Sequence, residues 1–150
     1  SLNAARAKGR DAKRVSDLRT IQLALESYYN DNGFYPSTNI YSGATISPTY
    51  LATLPRDPKD NSTLYLYSAY NTSSNPTGTA NCLGKATSYH LAAVMESTDG
   101  TNPTLKQDVD SSVADTWTVC TGTTATFDGN ATSCSGVSAG ASDNCYDQTN

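Results

Sequence analysis

The sequence predicts an α+β fold in which one long N-terminal amphipathic helix lies on a small antiparallel β-sheet, followed by a loop-rich, disulfide-closed C-terminal region. Three observations carry that expectation. Val15, Leu18, Ile21, Leu25 and Tyr28 recur at steps of three or four, which gathers them into one stripe of a helix. Three strand-like runs follow, at 64–70, 88–95 and 116–120. All four cysteines, Cys82, Cys120, Cys134 and Cys145, fall in the later half.

The helix comes first. Ala4, Ala5, Ala7 and Ala12 favour helix but offer little to bury, so the early turns are expected to project beyond the body. Arg14, Asp17, Arg19, Gln22 and Glu26 read as lying mostly away from the apolar stripe. The run YYNDNGFYP then supplies stop chemistry. Asn32 or Gly33 can adopt the left-handed conformation of a C-cap, and Pro36 prevents the helix from resuming. Tyr28, Tyr29 and Tyr35 are expected to pack that junction, with hydroxyls turned to solvent or backbone.

A long connection follows, with one short helix candidate. Ser47 can cap it and Pro48 can take its first position before Tyr50, Leu51 and Leu54, while Pro55 and Pro58 end it. In the second strand, Tyr89, Leu91, Ala93 and Met95 share one face, and His90, Ala92 and Val94 the other. Residues 121–150 are rich in Gly, Ser, Thr and Asn and are expected to need cross-links for order. With 150 residues and 37% hydrophobic content, the chain suits a single domain, 1–150. Its parts are a helix at 1–32, a connection at 33–63, the sheet at 64–120 and the cysteine-containing loops at 121–150.

The charge is unevenly placed. Arg6, Lys8, Arg10, Lys13, Arg14 and Arg19 outweigh Asp11 and Asp17 within the first twenty residues, giving +4 there and −8 over the remainder. A nucleic acid is the weaker reading of that basic end, because no aromatic is interleaved with its cations and acids interrupt it. A stretch just outside a membrane span is the sharper one. No apolar run approaches the roughly 20 residues that cross a bilayer, and no signal peptide is seen. The expectation is therefore a mature ectodomain or a truncated chain.

The cysteine spacings of 38, 14 and 11 contain no CxxC pair, which points away from zinc. Two disulfides in an oxidising compartment fit better, each contributing roughly 3 kcal/mol, and three pairings are open. His90 is the only histidine and reads as a solvent-facing strand residue without a nucleophile near it in sequence. No hydrolase, zinc-protease, phosphate-loop or dinucleotide motif occurs, so neither catalysis nor a small-molecule substrate is expected. Asn61, Asn71 and Asn130 open N-x-Ser/Thr triplets, which arise readily by chance in this composition. No cofactor is required. Asp108, Asp110 and Asp115, with Ser111 and Ser112, nevertheless form a candidate calcium site of hard oxygen donors, although it lacks the central glycine and final glutamate of an EF-hand loop.

The runs AKGRDAKRVSDLRTIQLALESYYNDNGFYP, YLATLPRDPKD and YLYSAY, taken in that order, resemble the type IV pilin and type II secretion pseudopilin family. The matching positions are Tyr29, Gly33, Tyr35 and Pro36, then Leu54, Pro55, Asp57 and Pro58, then Tyr65, Tyr67 and Tyr70. The likeness covers about residues 4–70, and SYHLAAVMES is similar to a following pilin strand. It implies a pilin-like head domain lacking the family's apolar stem, whose anchoring and polymerising residues therefore have no counterparts here. Calcium in the late loops of major pseudopilins is a further implication for Asp108, Asp110 and Asp115.

The functional expectation is a structural subunit of a pilus or pseudopilus-like extracellular filament. It would form a homo-oligomer through the missing stem, be held in the membrane by that stem before assembly, and reside at the cell surface or in the periplasm. The alternative is a minor pilin or tip module that binds DNA, a secreted substrate or a host surface.

Overall fold

The computed structural model describes residues 1–71, 82, 84–97, 105, 108–109, 118–120, 134 and 144–150. One helix, α1 (Leu2–Asn32), precedes four strands: β1 (Leu66–Asn71), β2 (Ser88–Val94), β3 (Thr118–Val119) and β4 (Cys145–Thr149). The α+β expectation holds. The strands form one antiparallel sheet in the order β3-β1-β2-β4, with β3 only two residues long.

Helix α1 begins at Ser1, whose hydroxyl accepts from the Ala4 amide at 3.4 Å. It ends at Gly33, which has φ 77° and ψ 10° and donates its amide to the Tyr29 carbonyl at 2.7 Å. A left-handed residue here reverses the chain at a cost that only glycine escapes. Tyr35 then bridges Ala86 by two backbone bonds, and the Pro36 carbonyl accepts from the Tyr67 hydroxyl at 2.7 Å. These contacts tie the reversal to the sheet.

Leu18, Ile21, Ala24 and Leu25 are buried against the sheet face formed by Tyr67, Ala69, Tyr89, Leu91, Ala93 and Tyr146. Each fully buried large side chain of this set is stabilised by about 1.5–3 kcal/mol relative to exposure. The alternation read from the sequence is therefore correct for β2. Ala92 joins Cys134 and Cys145 on the opposite face, with Leu66 and Val94 packed beside them.

Several sequence expectations need correction. Residues 47–50 form a turn and 52–53 a bend rather than a short helix. The Ile46 carbonyl accepts from both the Tyr50 and Leu51 amides, and the Ser47 hydroxyl donates to Ala52 O instead of capping. Within the region assigned to loops, residues 145–149 form β4, paired along β2 from Val94↔Cys145 to His90↔Thr149. Ladder pairing and a disulfide at Cys145 supply the order that local composition lacks. His90 is buried at 2% exposure, not solvent-facing, because the outer sheet face is covered. Its Nε2 lies 2.6 Å from Asp147 Oδ2 on β4.

The disulfides are Cys82–Cys120 and Cys134–Cys145. The first anchors the chain entering β2 to the residue that follows β3, and the second holds the start of β4.

Candidate functional site

The structure concentrates its charge chemistry where the lower half of α1 meets the 57–63 loop and the residues after β2. Arg14 stands at the centre, 2% exposed. Its Nε and Nη2 each donate to Asp57 at 2.8 Å, a bidentate pair, and its Nη1 donates to Asp11 Oδ1 at 2.7 Å and Glu96 Oε1 at 2.9 Å. Arg10 makes a second bidentate pair with Glu96, both contacts at 2.6 Å. Asp11 also accepts from the Glu96 and Ser97 amides at 2.9 and 3.2 Å. One turn further along, Asp17 pairs with Lys13 and accepts from the Tyr65 hydroxyl at 2.7 Å. Helix, loop and strand end are thus joined by directed bonds as well as by apolar packing.

Local backbone chemistry presents the loop's half of this seam. Asp57 Oδ1 accepts from the Lys59 amide at 2.8 Å, and the Asp57 amide donates to Thr63 O at 2.9 Å. Asp60 accepts from the Ser62 and Thr63 amides and from the Thr63 hydroxyl, closing an Asx turn around Asn61 at φ 54°. The loop is therefore shaped to hold Asp57 against the helix.

The electrostatics follow the geometry. Burial pulls the Arg14 pKa down, but its hydrogen bonds to Asp57, Glu96 and Asp11 outweigh that and hold it above the usual arginine value. The Arg10 hydrogen bond, assisted by Arg14, lowers Glu96 to about 2. For Asp57, burial pushes upward, yet the bonds from Arg14 and the Lys59 amide leave a net lowering. Bonds from Thr63 and Ser62 hold Asp60 well below the usual carboxylate range. All these groups remain charged across the physiological range.

Beside the seam lies an open cleft of about 740 Å³, lined by Arg14, Asp57, Lys59, Asp60, Thr63, Val94, Met95 and Glu96. The cations and carboxylates on its helix side are already paired to each other. Its available chemistry is charge pairing that fixes one element against another.

Above the seam, the upper helix is held by a tyrosine cluster. Tyr28 meets Phe34 and Tyr50 edge-on, Tyr35 lies 4.7 Å from Tyr29 and 4.9 Å from Tyr89, and Tyr67 stacks on Tyr89 at 6.3 Å. The Tyr35 hydroxyl donates to the Glu26 carboxylate at 3.0 Å rather than to solvent or backbone. Below the seam the helix is bare. Leu2 is 68% exposed, residues 3–6, 8 and 9 are exposed, and Arg6 and Lys8 have no ion-pair partner among the described residues.

Of the residues singled out from sequence, the stripe Leu18, Ile21 and Leu25 lies in the core, and Val15 and Tyr28 pack at its edge. The four cysteines pair as two disulfides. Asp110 and Asp115 lie outside the described residues, and Asp108 is half-buried. Among the described residues, no group of three or more His, Cys, Asp or Glu side chains could hold a metal.

Sequence reasoning missed the seam by placing Arg14 and Asp17 off the stripe. The spacing Arg14, Leu18, Ile21, Leu25 continues the same steps of four and three, so position alone marks Arg14 as inward-facing. No family model, curated protein or solved structure matches this chain.

Proposed function

We propose that this chain is the head and lower stem of a filament subunit of the type IV pilus or type II secretion pseudopilus kind. It assembles through an apolar helical segment preceding α1, which anchors it in the membrane before assembly. The observation that carries the reading is the division of α1. Residues 1–9 are exposed apart from a half-buried Ala7, while from Arg10 to Leu25 the helix is bound to the head by ion pairs and apolar packing. A subunit that stands its head on a shared rod needs such a helix, free below and rigidly joined above. The two disulfides fit assembly in an oxidising compartment outside the cytoplasm. No helix among the described residues is long and apolar enough to cross a membrane.

Capture of DNA by the basic end draws less support. Arg10 and Arg14 are committed to carboxylates, and Lys13 to Asp17. That neutralisation removes most of the charge a phosphate backbone would meet.

The test is to shear surface appendages from cells producing the full-length gene product and label them with antibody against residues 33–150. Labelling along the filament length is expected. Label confined to monomer in membrane or medium would overturn the proposal, and label only at filament ends would favour the tip-module alternative.

A further inference from the structure

Of the N-x-Ser/Thr triplets in the chain, the structure sets one apart. Asn71 closes β1, is half-buried and pairs with Thr118 in the sheet, and Asn130 lies outside the described residues. Asn61 stands instead in the 57–63 turn, where every residue from Lys59 to Leu64 is exposed. Such a triplet accepts N-linked sugar on a surface loop when its middle residue is not proline, and here that residue is Ser62.

The turn closes on itself and leaves the Asn61 side chain over. Asp60 Oδ1 accepts from the Ser62 and Thr63 amides at 2.8 Å each, Asp60 Oδ2 accepts from the Thr63 hydroxyl at 2.6 Å, and the Asn61 amide donates to Asp57 O at 2.8 Å. Asn61 takes φ 54°, a left-handed conformation that asparagine adopts more readily than most residues. Asparagines in turns and at helix ends commonly spend their carboxamide on nearby backbone, as Asn39 does in accepting from the Tyr41 amide and Asn32 in donating to Tyr28 O. The Asn61 carboxamide makes no hydrogen bond among the described residues. Lys59, Asp60 and Thr63 also line the open cleft of about 740 Å³, so solvent reaches the turn from that side too.

We infer that Asn61 is a modification site whose Nδ2 carries an N-linked glycan, added in the oxidising compartment that the two disulfides fit. The donor class is a saccharide joined through a diphosphate to a polyprenol. A bond forms between Asn61 Nδ2 and the anomeric carbon as that carbon's bond to the diphosphate breaks; the diphosphate leaves with the bonding electrons, and the amide gives up one proton. The Thr63 hydroxyl, two positions on, completes the acceptor, and its bond to Asp60 fixes where it stands. The glycan shelters the loop that holds Asp57 against α1, whether or not the chain enters a filament.

The experiment takes the full-length protein from the cells that naturally make it and locates any added saccharide by electron-transfer fragmentation of its peptides. A saccharide mass on Asn61 is expected. Produced in the same cells, Asn61→Gln and Thr63→Val should lose that mass, whereas Thr63→Ser, which keeps both the hydroxyl and its reach to Asp60, should retain it. Intact Cys82–Cys120 and Cys134–Cys145 peptides in each variant show that the head has folded. A bare Asn61 in the natural protein, saccharide on Asn71 or Asn130 alone, or a saccharide that survives Asn61→Gln and so sits on a serine or threonine would each overturn the inference. Sheared filaments built of subunits with a bare Asn61 would sink this site and leave the filament reading standing. A glycosylated chain absent from sheared appendages would do the reverse.

Discussion

Arg14 concentrates at one residue the energetics that join helix to head. A buried guanidinium contacting three carboxylates is stabilising only as a complete set, since removing the cation leaves Asp57 and Asp11 desolvated beside each other. Arg14→Met should therefore cost about 3–5 kcal/mol in urea unfolding. A loss below about 1 kcal/mol would show the cluster to be solvated and dispensable. The acid limb of stability reports the same groups. Glu96 has a folded pKa of about 2 against an ordinary 4.5, and Asp57 and Asp60 are also lowered. A depressed carboxylate pKa contributes stability that is complete above the unfolded value and disappears as pH falls through the folded one. Stability should thus decline from about pH 4.5 towards pH 2, and Glu96→Gln should flatten that decline; identical acid limbs for the two proteins would remove Glu96 from the account. At this scale the sequence was only half legible. The apolar stripe was plain, but its charged continuation was hidden because Arg and Asp normally face water, and only their partners at 57 and 96, remote in sequence, made burial favourable.

At the scale of elements, local signals carried α1, its Gly33 cap and the faces of β2, because each rests on periodicity or on a backbone conformation peculiar to one residue type. Strand β4 was illegible for the converse reason. CYDQT has little strand character beyond Tyr146, and its order comes from pairing with β2, from the buried His90–Asp147 contact and from Cys134–Cys145. The covering of the outer sheet face, which buries His90, is likewise a tertiary fact. The disulfide pairing allocates stability among the elements. In the chain-entropy relation, the 38-residue separation of Cys82–Cys120 corresponds to about 4 kcal/mol and the 11-residue separation of Cys134–Cys145 to about 3 kcal/mol. Reduction should accordingly raise hydrogen exchange in β2 and β4 while leaving residues 14–29 of α1 largely protected. Equal loss of protection in the helix and the late strands would contradict that division.

Across the whole molecule, the design is a rigid joint on a bare rod. Apolar burial and the tyrosine cluster hold the upper helix, the Arg14 seam fixes the middle, and residues 1–9 are exposed apart from the half-buried Ala7. Such a helix is marginal on its own, since its early turns gain little tertiary packing, and under the proposed filament reading neighbouring copies would cover and stabilise it. The most direct measurement of the proposed filament reading is amide hydrogen exchange of residues 2–10, made on the isolated chain and again on the filaments which that reading requires. In the isolated chain these amides should exchange orders of magnitude faster than those of residues 14–29, and in filaments the two sets should be comparably protected. Residues 2–10 that are protected already in the monomer, or that stay unprotected in the filament, would contradict the account.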